Sequence, residues 1–195
     1  RMRAADRHAI DFFAQLRPEG AIAPTLDDFL TAPASRIEQA PPLALMGSMP
    51  QLQRLERAII CDYARAGGTE VDIAVAAAEH LRTGLASAAG AHDLVLIDCP
   101  PNLYLCSWNA MVAADFVIVP VPPEDFGTQG LRVVHQAIGN ARRLNPRLAL
   151  LGHLVTRSDG RLLVHQSYEK KLREVYGPTV FDVVVSEASA FKVAL

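Results

Sequence analysis

The sequence predicts an α/β fold, a parallel β-sheet with helices on both faces. Short apolar runs at residues 94–97, 116–121, 148–155 and 180–185 show little polar alternation, which suits strands buried on both sides. Between them lie segments with helical spacing of apolar residues, long enough to serve as the crossovers that parallel strands require. The first run ends at Asp98, where Cys99-Pro100-Pro101 cannot continue a ladder. That leaves a carboxylate at the carboxyl edge of the sheet, where open α/β folds bind ligands.

Composition narrows the class. The chain has 195 residues, 50% of them hydrophobic, and a formal net charge of −2. It is long enough for a substantial core and carries no polybasic tail. One domain is expected over residues 1–195, with residues 1–24 hard to place. No apolar run approaches the ~20 residues that span a bilayer, so a membrane is not an expected partner. The opening Arg1-Met2-Arg3-Ala4-Ala5-Asp6 lacks the apolar centre of a signal peptide. Cys61, Cys99 and Cys106 are odd in number, lack zinc-ligand spacing, and read as reduced thiols in a cytoplasmic protein. Charge is uneven: residues 132–173 hold seven Arg and two Lys against Asp159 and Glu169 alone. Such a stretch is either a face for an anionic partner or a solvated helix surface.

Taken in order, residues 8–16 suit an amphipathic helix with Ile10, Phe13 and Leu16 on one face, ended by Pro18 and Gly20. Thr25 suits an N-cap for a short helix at 26–30, with Asp27 and Asp28 in its first turn. Residues 43–46 read as a short strand. A helix follows at 51–64 with Leu52, Leu55, Ile59 and Tyr63 on its buried stripe, broken by Gly67-Gly68-Thr69. The Ala-rich stretch 73–88 is helical and leads through Gly90 to the run ending at Asp98. A helix at 104–112 carries Tyr104, Trp108 and Met111 along one side. After the strand at 116–121 comes a helix at 128–144 with Leu131, Val134, Ile138 and Ala141 at helical spacing. A strand at 148–155 follows. The next helix, at 162–176, has Val164, Tyr168 and Leu172 on one face, stopped by Gly177-Pro178 before the last strand at 180–185.

Several side chains carry more than one reading. Asp98 is either a metal-holding carboxylate or a cap for the following loop. Glu124 and Asp125 precede a helix and suit its dipole. His135, His153 and His165 lack metal-ligand spacing and read as ordinary helix and strand residues. At 100° per residue Arg132, Gln136, Gly139 and Arg143 share a stripe opposite the apolar one, with Arg142 beside it.

Four motifs run in one order: Leu96-Ile97-Asp98-Cys99-Pro100-Pro101; Asn109-Ala110-Met111-Val112-Ala113-Ala114-Asp115; Val119-Pro120-Val121 with Glu124 and Gly130-Leu131; and Leu154-Val155-Thr156-Arg157 with Asp159 and Arg161. Thr25-Leu26-Asp27-Asp28-Phe29-Leu30 precedes them. In these the chain resembles the ParA family of partition ATPases, P-loop proteins related to MinD, over about residues 25–195. Members open with a Gly-rich loop bearing two lysines, which cradles phosphates. Residues 1–195 contain no such loop, so an incomplete P-loop NTPase-like domain, shortened at the N-terminus and also at the C-terminus, is expected.

The resemblance implies ATP and Mg²⁺ as cofactors. Asp98 would be the catalytic carboxylate that holds Mg²⁺, directly or through water. Pro100 and Pro101 would lie in the loop that senses the γ-phosphate, with Cys99 packing rather than attacking. Thr156 and Arg157 would fall near the nucleotide base, although a strand-end Thr also serves as a turn cap. The implied function is an ATP hydrolase that partitions chromosome or plasmid DNA, cycling between an ATP-bound homodimer and a released monomer. This chain alone is expected to be inactive. Implied partners are DNA of any sequence, held by Arg132, Arg142, Arg143 and Arg161, and a ParB-like or cargo-adaptor protein. The implied location is cytoplasmic, on the nucleoid. The alternatives are a MinD-like or other cargo-positioning ATPase and a non-hydrolytic module without the phosphate loop.

Overall fold

Two compact units divide the chain, Arg1–Ala113 and Ala114–Leu195. The computed structural model describes residues 12–14, 29–30, 44–46, 52–88, 90–123 and 128–188.

The first unit is helical among its described residues. Helix α1, Leu52–Arg65, follows the predicted apolar stripe, and Ile59 and Tyr63 on it are buried. Its end is set by Gly67, whose φ of 81° lets the Gly67 and Gly68 amides donate back to the Ala64 and Tyr63 carbonyls at 3.1 and 2.9 Å. Helix α2, Glu70–Ala88, begins three residues before the expected start at 73. A reciprocal cap explains the earlier start. The Thr69 amide and hydroxyl each lie 2.7 Å from Asp72 Oδ2, and the Asp72 amide returns to Thr69 Oγ1 at 3.3 Å. Those bonds, the backbone one first, hold the Asp72 carboxyl below the usual carboxylate range. Helix α3, Leu105–Ala113, buries Leu105, Ser107, Asn109, Ala110, Met111 and Val112. Tyr104 is exposed just before it, contrary to the face predicted for that residue.

The run at 94–97, expected as the central buried strand, is not a strand. Leu94, Val95, Leu96 and Ile97 are 73%, 44%, 84% and 37% exposed. A strand exists through its ladder, and among the described residues none pairs with this segment. In place of a strand at 43–46, Leu45 forms an isolated bridge. The elements expected at 8–16 and 26–30 lie mostly outside the described residues. Of them, Phe12, Phe13 and Phe29 cluster with Leu81 of α2 in a buried core.

The second unit holds a parallel sheet in the order β1-β2-β3, with β1 at Phe116–Val121, β2 at Ala149–Ser158 and β3 at Val180–Ser186. Helix α4, Thr128–Ala141, links β1 to β2, and α5, Leu163–Tyr176, with the 3-10 turn Gly177–Thr179, links β2 to β3. Both crossovers advance the sheet in the same direction, so their shared right-handedness puts both helices on one face. The contacts agree: His135 of α4 and Tyr176 of α5 both touch His153 of β2. Val119 and Val121 pair with His153 and Val155 on that face, and all four are buried. Phe116 and Ile118 on the opposite face are 60% and 47% exposed. Within this unit, therefore, helices cover one side of the sheet. The predicted stripe of α4 holds, with Leu131, Ile138 and Ala141 buried and Arg132, Gln136 and Gly139 exposed. That of α5 holds only at its end: Leu172 is buried, but Val164 is 66% exposed.

Strand β2 carries three irregularities, one of them between His153 and Val155, whose β3 partners Val180 and Val184 are four residues apart. The other two lie beside Val117/Ile118, where Leu151 is skipped, and at Arg157, skipped between Thr156 and Ser158. Arg157 has a φ of 55°, the left-handed conformation of a bulge residue.

Candidate functional site

Asp98 leads a loop in the first unit, and the start of α3 builds that loop. The Asp98 side chain is exposed, with no hydrogen bond or ion pair among the described residues. Pro100 and Pro101 follow, also exposed. Ser107, buried in the first turn of α3, turns its hydroxyl back toward the loop. It donates to the Asn102 carbonyl at 2.5 Å and lies 3.5 Å from that of Pro100. From α1, the buried Glu56 accepts the Cys106 amide at 2.7 Å. Carboxylates suit this position, because the first amides of a helix lack intrahelical partners and the dipole favours negative charge there. Burial, then the hydrogen bond to Glu56, raises the Cys106 thiol far above its usual range. Cys99 is exposed by area, yet desolvation of its sulfur and then the Asp98 charge raise its pKa as well. Neither thiol is a ready nucleophile.

The second unit supplies Thr156 and Arg157, near the carboxyl end of β2. Thr156 is half-buried and Arg157 exposed. The turn beyond them is closed by short-range bonds. Asp159 Oδ1 accepts the Arg161 amide and Nε, both at 3.0 Å, and Oδ2 accepts Nη2 at 2.7 Å. The Arg161 bonds hold the Asp159 carboxyl well below the usual range. The Asp159 amide donates to His165 Nδ1 at 3.0 Å, and Gln166 Nε2 to the Gly160 carbonyl at 2.6 Å. Asp98 belongs to one unit and Thr156 to the other.

The basic residues differ in how their charge is used. Arg132 and Arg143 are exposed, with no side-chain partner among the described residues. Arg142 and Arg143 lie just past the end of α4, which was expected to run to 144. Arg142 folds back so that its Nε donates to the Leu148 carbonyl at 2.9 Å. Arg161 shares its guanidinium with Asp159, as above, and Arg173 pairs with Glu169 at 2.9 Å. Glu124 and Asp125 lie outside the described residues.

Two features had no local signal in the sequence. One is the Glu56–Cys106 bond, made across fifty residues of chain. The other joins His135 and His153, whose Nε2 atoms lie 2.9 Å apart, with Tyr176 stacked on His135 at 5.4 Å. Among the described residues, no group of three or more His, Cys, Asp or Glu could hold a metal ion. No described helix is long and apolar enough to cross a membrane.

Comparison with known proteins agrees with the motifs. Residues 46–150 match the model of a family described as an AAA domain. The chromosome-partitioning ATPase Soj of Thermus thermophilus is 44% identical over 95 residues, covering 48% of this chain and 38% of that protein. The chromosome partitioning protein ParA of Caulobacter vibrioides is 40% identical over 111 residues, covering 53% and 42%. The crystal structure of cobyrinic acid a,c-diamide synthase from Mycobacterium smegmatis, with ADP and magnesium bound, superposes with a TM-score of 0.70 at 22% identity, covering 95% of this chain and 66% of that one. The chain spans about two fifths of the length of the curated relatives it matches. The family match takes in more than half of the chain, Asp98 and its loop included, and the chain belongs to this AAA-domain family of ParA-type P-loop ATPases.

Proposed function

We propose that the whole protein is an ATP hydrolase that partitions or positions DNA, with Mg²⁺ and ATP meeting at Asp98. The observation that carries this reading is the exposed Asp98 carboxylate, free of protein partners among the described residues, at the head of a loop tied to α3. A free carboxylate beside a structured loop suits a Mg²⁺ that keeps most of its waters and bridges to phosphate. Bound MgATP would supply the γ-phosphate that water attacks, and the protein's part would be positioning and electrostatics. Asp98 would hold the cation, and Pro100 and Pro101 would lie in the loop that senses the γ-phosphate. Pairing of two ATP-bound copies, a cytoplasmic location on the nucleoid, and a ParB-like partner belong to the same reading. In the longest natural form of the protein, Asp98→Ala is expected to remove measurable ATP turnover. Turnover at the wild-type rate would overturn the reading. Residues 1–195 alone are expected to bind ATP weakly or not at all, since one carboxylate cannot cradle three phosphates. Calorimetry showing tight Mg²⁺-dependent binding by this stretch would prove that wrong.

Binding to DNA of any sequence is supported by the exposed charges of Arg132 and Arg143. Arg142 and Arg161, each engaged by a neighbour, would contribute less per side chain. Affinity is expected to fall with salt at a log–log slope of about −0.9 per phosphate neutralised. The double variant Arg132→Glu/Arg143→Glu should weaken binding to all duplexes alike and flatten that slope. Unchanged affinity at low salt would make this face ordinary solvated surface.

A further inference from the structure

Buried carboxylates need an explanation, because desolvating a charge is costly unless strong donors replace the water. Glu56 is 6% exposed, on a helix whose neighbouring buried residues are apolar. Its compensation is local: the Cys106 amide at 2.7 Å, in the first turn of α3. One residue further on, Ser107 is 3% exposed and bonded to the Asn102 carbonyl. From Glu56 the bonds thus run through two adjacent residues of α3 to the loop that Asp98 heads. Nothing else described fixes that loop so directly. The side chains of residues 98–101 are exposed, and the apolar run before them has no ladder among the described residues.

We propose that Glu56 is a positioning residue: its buried carboxylate fixes the first turn of α3 and, through Ser107, the 98–102 loop. Held this way, Asp98 meets its cation without first ordering the loop. This proposal rests on the ATPase reading for its consequence in turnover, but not for its consequence in loop order. The acceptor oxygen matters most, because the donor it satisfies is a backbone amide with no other partner in the helix.

The test uses the longest natural form of the protein, with hydrogen exchange over residues 98–107 and ATP turnover measured in parallel. Glu56→Ala is expected to speed local exchange about tenfold, the scale of one lost charge-assisted hydrogen bond. It should lower kcat by a similar factor with KM for ATP little changed. Glu56→Gln keeps an acceptor oxygen and should restore most of both. Should Glu56→Ala unfold the protein, Ser107→Ala gives the decisive reading, since it cuts the link to the loop without emptying the carboxylate's site. Local exchange unchanged in Ser107→Ala and in a folded Glu56→Ala overturns the proposal whatever the turnover. So does a Glu56→Gln variant as impaired as Glu56→Ala. Faster local exchange in a protein whose wild type turns over no ATP would sink the ATPase reading and leave the Glu56 link to the loop standing.

Discussion

Residues 94–97 and 116–121 are much the same sentence in sequence and opposite outcomes in structure. Both are apolar runs rich in Val and Ile, and both predict buried parallel strands. The second becomes β1, hydrogen-bonded along its length to β2. The first pairs with nothing described and leaves Leu96 84% exposed. What differs is the supply of a partner. β1 reaches β2 through a single crossover helix, and Asn145 and Ala149 bond back to the Ala114 and Asp115 carbonyls to fix the start of the pairing. An apolar run is thus a request for a strand, which a ladder must answer.

The largest expected effect tests that contrast. Leu148, 2% exposed beside the start of β2, should cost about 2–5 kcal/mol when changed to Ala, by lost burial and the cavity left behind. Leu96→Ala should change stability by no more than about 0.5 kcal/mol, as for most exposed positions. Denaturant midpoints on the two variants decide it. A Leu96→Ala cost equal to that of Leu148→Ala would mean that 94–97 is buried in solution and that the contrast fails.

A smaller effect concerns how β2 itself is built. Gly152 has a φ of 155°, and a Cβ there would lie 2.6 Å from the Thr179 carbonyl oxygen and 3.1 Å from the Phe181 ring. Gly152→Ala should cost about 1–3 kcal/mol, the range for a residue forced into strained backbone. A neutral result would show that the chain before β3 gives way easily.

Much of the fold was legible in local pattern. The periods of α1, α2 and α4, the bounds of β1, and the Gly177-Pro178 stop after α5 all follow from adjacent residues. The Thr69-x-x-Asp72 cap was also present in the sequence, and it moves the start of α2 from 73 to 70. Of the site, the position of Asp98 ahead of two prolines was legible. The support behind it was not, because Glu56 and Cys106 lie fifty residues apart and neither alone differs from an ordinary helix residue. The pairing of Arg161 with Asp159 was within reach at two residues' separation, yet exposed Arg side chains have many competing partners and their sequence spacing does not choose among them.

The smallest effect compares one buried histidine in each unit. His80, 1% exposed, has its Nε2 2.9 Å from the Phe12 carbonyl, so Nε2 carries the proton and Nδ1 is left without a partner in an apolar setting. His153, fully buried, points Nδ1 at the Thr179 hydroxyl and carbonyl oxygens, at 3.2 and 3.3 Å. The Thr179 hydroxyl already donates to the Tyr176 carbonyl at 2.8 Å. His153 Nδ1 therefore donates, and its Nε2 accepts the proton of His135 Nε2. Burial is the main force lowering both pKa values, with the carbonyl bonds opposing it and, at His153, the neighbouring His135 adding to it. A histidine whose pKa is lowered on folding binds its proton more tightly in the unfolded chain. Stability is therefore undiminished above the unfolded value of about 6.5 and declines as pH falls below it. Each pKa unit is worth about 1.4 kcal/mol per site, so a loss on the order of 1 kcal/mol is expected between pH 7.5 and pH 5.5. A second proton on His80 would sit on Nδ1, which faces no acceptor, whereas one on His153 Nε2 would face His135 Nε2, an acceptor in the other His135 tautomer, so His80 should account for more of the loss. Denaturant midpoints across that pH range should flatten more in His80→Gln than in His153→Gln. Equal flattening would show that this facing acceptor makes no difference and that burial alone governs both histidines.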